Sequence, residues 1–214
     1  MRYLSYILDK NTPTYGNRNI FKIEKRCNIS TGDIANDSNI STTVHIGTHI
    51  DMPYHFYKNG QTIEDFNIDF WNFEKPIFLE IQPRDFLIFD EVVEKLEQIE
   101  NMGQDILIIK TGICYFREKE KYWKENYGFS EKLYDYLIKH FPQIRVFGFD
   151  SISISSFQNR MEGRKAHKRF LNPEKPILIL EDMDLRGVTN LVKIQVIPLR
   201  IADSDGLPCT VIGE

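Results

Sequence analysis

Apolar residues gather in short, unbroken runs along the second half of this 214-residue chain. Ile77-Phe78-Leu79-Glu80-Ile81, Ile106-Leu107-Ile108-Ile109, Val146-Phe147-Gly148-Phe149 and Ile177-Leu178-Ile179-Leu180 are aliphatic, aromatic or β-branched almost throughout. Runs of that length and composition predict buried strands. A fifth, from Val192 to Ile201, alternates less cleanly and ends in Ile197-Pro198-Leu199.

Between the runs the period changes. From Asp90 to Ile99, the residues Val92, Val93, Leu96 and Ile99 recur at helical spacing and form an apolar stripe. Ser130, followed by Glu131 and Lys132, reads as the N-cap of a second helix. Leu133, Tyr136, Leu137 and His140 share one of its faces, and Pro142 stops it after Phe141. Strands separated by helices predict an α/β fold with a mixed β-sheet and packed helices. No repeat, low-complexity tract or Pro/Gly-rich linker divides the chain, so residues 1–214 read as one domain. The first forty residues are polar and turn-rich, as at Asn11-Thr12-Pro13 and Thr31-Gly32-Asp33, and predict only loosely placed strands and loops. Tyr115 to Phe129 interleaves aromatic and charged residues. It reads as a surface helix with its aromatics turned inward, or as a subunit contact or a lid over a site.

Composition narrows the function classes. The chain is 42% hydrophobic and 27% charged, which is the balance of a soluble globular protein. A net charge of -4 offers no footprint for nucleic acid. Cys27, Cys114 and Cys209 are odd in number and far apart, which predicts free thiols in a reducing compartment. The opening Met1-Arg2-Tyr3-Leu4-Ser5-Tyr6 lacks the apolar segment of a signal peptide, and no run approaches the ~20 residues that cross a bilayer. The expectation is a cytoplasmic protein with no nucleic-acid or membrane partner.

The chemistry is concentrated in one stretch. His45-Ile46-Gly47-Thr48-His49-Ile50-Asp51-Met52-Pro53-Tyr54-His55 holds three of the chain's five histidines around one acid. Imidazole and carboxylate are the ligands of borderline to hard divalent metals. As a helix the stretch would set His45 and His49 on one face, but Gly47, Thr48 and Pro53 disfavour a helix. A tight loop or strand end is the better reading, with Gly47 bringing the backbone near an ion and Pro53 directing the chain away. His45, His49 and Asp51 then converge, which leaves a coordination position open for water, as in catalytic sites. His55 lies four residues beyond Asp51 and reads as an acid/base that moves protons near neutral pH. Further along, Glu181 ends the strand Ile177 to Leu180 at its carboxyl end, where α/β sites gather. His167 and Glu181 are candidates for completing the site, although a histidine among Arg164, Lys165, Lys168 and Arg169 also reads as a solvated face. The basic stretch 160–169 could also dock an acidic partner, although mixed charge is more often solvation.

His45-x-Gly47-Thr48-His49-x-Asp51-x-Pro53-x-His55 resembles the signature of the cyclase-like metal-dependent hydrolases, the family of bacterial kynurenine formamidase and isatin hydrolase. Ile109-Lys110-Thr111-Gly112, Gly148-Phe149-Asp150, Ala166-His167 with Ile179-Leu180-Glu181, Pro198-Leu199-Arg200 and Asp205-Gly206-x-Pro208 look like its other motifs. The resemblance implies a swivelling β/β/α domain, generally dimeric or larger. It implies one or two divalent ions per chain, zinc or manganese. His45, His49 and Asp51 would hold the first, and Asp51 with His167 and Glu181 the second, with His55 as acid/base. The loop Thr12-Pro13-Thr14-Tyr15-Gly16-Asn17 keeps the family's aromatic as Tyr15 but not the proline and aspartate around it. The segment Ser151 to Ser156 also lacks a usual proline and acid. The expected activity is hydrolysis of a small amide or cyclic amide by metal-activated water, with Tyr15 and Thr48 orienting the small-molecule substrate. The rivals are a cyclase or lyase of the same family and a non-catalytic metal-binding protein.

Overall fold

In chain order the strands are β1 (Arg2–Tyr3), β2 (Lys22–Cys27), β3 (Asp37–Ser41), β4 (His49–Asp51), β5 (Asn72–Phe73), β6 (Pro76–Glu80) and β7 (Leu87–Ile88). They continue with β8 (Ile106–Lys110), β9 (Gly128–Phe129), β10 (Val146–Phe149), β11 (Leu178–Glu181), β12 (Ile194–Pro198) and β13 (Gly206–Gly213). The helices are α1 (Asp90–Leu96), α2 (Lys121–Lys124), α3 (Lys132–His140) and α4 (Arg160–Phe170). This computed structural model describes residues 1–18 and 20–214.

The apolar runs become the parallel half of one sheet: β6, β8, β10 and β11 lie side by side, all pointing the same way. Residues 106–109 of β8 and 178–180 of β11 have no exposed surface, which explains why they show no polar alternation. At β11 the sheet changes sense. β4 pairs with it antiparallel, and β13, β12 and β5 follow antiparallel in turn, with β1 added against β13. The three residues of β4 therefore sit at the seam between two halves of a mixed sheet in an α/β fold.

Both expected helices form. α1 buries Val92 and Leu96. α3 starts at Lys132, whose N–H is 3.3 Å from the Ser130 hydroxyl, and it buries Leu133, Tyr134 and Leu137, while Tyr136 stacks on His140 at its rim. Tyr115 to Phe129 is not one helix. It breaks into a 3-10 turn (Ile113–Phe116), the single turn α2 and the short strand β9. Its aromatics do turn inward at one point, where Tyr122 is fully buried against Ile113 and Ile152. The basic stretch 160–169 is the larger departure, because it forms α4 and buries Gly163, Ala166, His167 and Phe170. In the first forty residues, β2 and β3 make a hairpin exposed along nearly its whole length.

Candidate metal centre

A strand alternates its side chains, so His49 and Asp51 share one face of β4 while Ile50 enters the core on the other. The register with β11 sets Glu181 directly opposite His49, and the register with β13 sets Gly206 opposite Asp51. Gly206 is small for a reason. A Cβ there would stand 2.5 Å from the His45 ring, which lies over that strand. The Glu181 carboxylate is held from behind by the Ile154 N–H at 2.7 Å and the Ser153 hydroxyl at 3.2 Å.

His167 arrives from α4. The helix comes close to the chain at Gly163, where a Cβ would meet Ser155 Oγ at 2.0 Å. One turn later the His167 Nδ1–H donates to the Gly163 carbonyl at 2.9 Å, and Phe56 stacks on its ring. His49 is oriented the same way, its Nδ1–H donating to the Gly47 carbonyl at 2.8 Å. Gly47 takes φ +58 and abuts Leu8, so its part is to aim this carbonyl and to let the N-terminal segment pack close.

Because a carbonyl only accepts, both rings carry a proton on Nδ1 and turn Nε2 to the centre. His49 Nε2 is 3.4 Å from Asp51 Oδ1 and 3.5 Å from Glu181 Oε2, and it is buried without a hydrogen-bond partner. His167 Nε2 is 3.5 Å from Asp51 Oδ2 and 3.8 Å from Glu181 Oε1. Lone pairs facing carboxylate oxygens at these distances repel unless a proton or a cation lies between them. Four buried N and O donors of mixed hardness fit a divalent ion of the zinc or manganese type.

A second chain of contacts leads toward solvent. His45 Nδ1 is 2.8 Å from Asp51 Oδ1, and its Nε2 is 2.9 Å from Asp205 Oδ2. His55, at the end of the 3-10 turn Pro53–His55, donates from Nδ1 to the same Asp205 oxygen at 3.0 Å. Ligand-type atoms converge in two groups, His49/Asp51/Glu181 and His45/Asp51/His55, each within 4.8 Å. Sequence reading sets His55 apart from the ligand residues, whereas here its ring lies 4.1 Å from that of His45.

The electrostatics follow. Burial, then the neighbouring Asp51 charge, raises Glu181 to about 8. Burial opposes charge on His45, but Asp51 and Asp205 outweigh it and raise the ring to about 10. His49 is raised too, with burial opposing and Asp51 favouring the proton. Asp51 is held well below the carboxylate range despite its burial, by His45, His167 and His49. Hydrogen bonds from His45 and His55 push Asp205 down as well. The cluster is built to hold positive charge at its middle.

These side chains floor a cavity of about 250 Å³, whose walls include Tyr15, Thr43, Ile46 and Ile152. Tyr15 packs on Phe157 and its hydroxyl donates to the Ser156 carbonyl at 3.3 Å. Thr48 is elsewhere. It is buried, its hydroxyl donates to the Asp182 carbonyl at 2.5 Å and accepts from the Tyr6 N–H at 3.1 Å, and it does not line the cavity. Its part is to brace the backbone and not to orient substrate. A larger groove of about 800 Å³, lined by Tyr3, Ile7, Ile197 and Leu199, offers only Asp184 and Arg186 as charged groups, and those are paired with each other. Chemistry therefore selects the smaller cavity. Among its contributors, Ser153 and the contact between His45 and Asp205 are absent from the sequence reading. Asp205 stands 160 residues from His45, and no spacing rule links the two.

The Cyclase family model, whose description reads "Putative cyclase", matches residues 3–156. A kynurenine formamidase of Geobacillus thermodenitrificans is 25% identical over 213 residues, 96% of this chain and 92% of that protein. Cyclase-like protein 1 of Arabidopsis thaliana is 26% identical over 180 residues, 83% of this chain and 69% of that protein. The chain spans about two thirds of the length of the plant relatives it matches. Isatin hydrolase A from Ralstonia solanacearum has a TM-score of 0.80 at 17% identity, covering 99% of this chain and 90% of that one. A potential metal-dependent hydrolase with cyclase activity has 0.77 at 22%, covering 99% and 96%. At those identities the structural matches establish the shared fold.

Proposed function

We propose, of a chain that belongs to the Cyclase family, that it is a metal-dependent hydrolase of a small amide or cyclic amide. The observation that carries this reading is the pair of inward Nε2 atoms, on His49 and His167, converging on the buried carboxylates of Asp51 and Glu181 at 3.4 to 3.8 Å. The formamidase and isatin hydrolase relatives support C–N hydrolysis as the reaction.

Asp51, common to both groups of converging atoms, would hold one or two divalent ions together with His45, His49, His167 and Glu181. A divalent ion held there would supply Lewis acidity and would lower the pKa of a water from ~15.7 towards ~7. The chain's own residues do the rest. Gly47 and Gly163 carbonyls fix two imidazoles in the ligating tautomer, and Ser153 with the Ile154 N–H holds Glu181 in place. His55, anchored through Nδ1 on Asp205, takes a proton from water and returns it to the leaving amine. Tyr15, Ile46 and Ile152 hold the apolar part of the substrate.

The test is metal per chain on purified protein, followed by N-formyl aryl amines, isatin-like lactams and lactones as substrates. Products whose masses together exceed the substrate by one water support hydrolysis. Unchanged mass with ring closure or elimination supports the lyase reading, and metal without turnover supports a binding protein.

The reading extends to a homodimer or larger assembly in the cytoplasm. The β2–β3 hairpin exposes Ile23 and Ile40 side by side, and an isolated two-stranded ribbon is marginal in water. Light scattering checks the assembly. No helix among the described residues is long and apolar enough to cross a membrane.

A further inference from the structure

The residue after Glu181 is strained. Asp182 has φ +52 and is buried, whereas the other non-glycine residues with positive φ among those described, Asn17 and Asp203, are exposed. A side chain disfavours this conformation, and aspartate adopts it mainly where its carboxylate bonds its own local backbone. Here the carboxylate reaches away instead. Arg117 grips both its oxygens, Nε at 2.9 Å and Nη2 at 2.6 Å, and the Tyr122 hydroxyl donates to it as well. The guanidinium itself lies over the Tyr6 ring, 3.7 Å from its centroid. The Asp182 backbone is fixed on both sides, its N–H by the Ser151 carbonyl and its carbonyl by Thr48, one residue before His49.

We propose that Arg117 is a positioning residue that holds Asp182 in its left-handed conformation and so fixes where the Glu181 carboxylate points. The inference rests on the reading of Glu181 as a metal ligand. Relaxing φ at Asp182 turns the peptide joining it to Glu181 and breaks the bond to Ser151. The last residue of β11 then leaves its register opposite His49. Arg117 touches neither the cavity nor any ligand atom, yet through this one peptide it sets the spacing of the two facing ligands.

Glycine takes a positive φ without help, so Asp182→Gly separates this role from general bracing. Zinc affinity of the metal-stripped protein, measured by competition with a chelator well below the melting temperature, is compared for wild type, Arg117→Met, Asp182→Gly and the double variant. Arg117→Met is expected to lose about 10–100-fold, the usual effect of removing a group that orients a ligand. The double variant is expected to bind zinc as wild type does, although both variants melt earlier. If Arg117→Met does not fold, Arg117→Lys replaces it, with a smaller loss that Asp182→Gly again abolishes. Unchanged affinity in the Arg117 variant, or a double variant as weak as the single one, overturns the proposal. Wild type that binds neither zinc nor manganese overturns the metal reading itself, and this inference with it.

Discussion

Glu181 faces His49 across the antiparallel register of β4 and β11, with Oε2 3.5 Å from the imidazole Nε2. Two residues 132 positions apart are thus made neighbours by a backbone ladder, not by any flexible loop. Asp51 stands one alternation along from His49 and within reach of three imidazoles.

Removing that shared acid should strip the centre. Asp51→Ala is expected to come through extensive dialysis with little or no metal, because both converging groups lose a member. Metal content equal to wild type by elemental analysis would take Asp51 out of the ligand set.

His55→Ala should behave differently. Its Nδ1 is committed to Asp205, and with the proposed role in proton transfer the variant is expected to keep fold and metal while turnover falls roughly 10²–10⁴-fold. The pH–rate profile should lose the limb that belongs to an imidazole. A variant purified without metal would make His55 a ligand through its place beside His45 and Asp51.

The metal-free protein should lose stability as pH rises. Glu181 at about 8 and His45 at about 10 both hold protons more tightly than in the unfolded chain, where they sit near 4.5 and 6.5. The His45 contribution is complete below pH 6.5 and gone above about 10, and the Glu181 contribution is complete below 4.5 and gone above about 8. Asp51 and Asp205, held low, act in the opposite sense but only in acid. Thermal unfolding in chelator should give a lower melting temperature near pH 9 than near pH 6.5. A level or rising melting temperature over that range contradicts the assignment of both groups.

Gly163→Ala tests the approach of α4. In an exposed helix alanine is better than glycine by about 1 kcal/mol. Here the added methyl meets Ser155, so the variant is expected to be less stable and to bind metal more weakly, since His167 rides on the same helix. Greater stability with full metal binding would show that the contact yields without cost.

The legible parts of this chain were those whose signal is local. Residues 106–109 and 178–180 are buried on both faces and therefore uniformly apolar, and the His45 to His55 cluster carries its chemistry within eleven residues. α4 was hidden because its buried stripe, Gly163, Ala166, His167 and Phe170, holds a single large apolar side chain among charges. Asp205 stood out only as part of a motif, and its contacts with His45 and His55 were hidden because no spacing rule links residues so far apart. Thr48 read as a substrate contact from its place in the motif, but its hydroxyl is spent on the backbone of Asp182.

β4 is only three residues long, yet it lies at the seam of the sheet with a partner on either side. A site built on surface loops can breathe open and let its ion go. Here the strand carrying His49 and Asp51 cannot peel away without parting the middle of the fold, so these two side chains keep their spacing for as long as the sheet persists. The amide protons of that strand should be among the last to exchange with solvent.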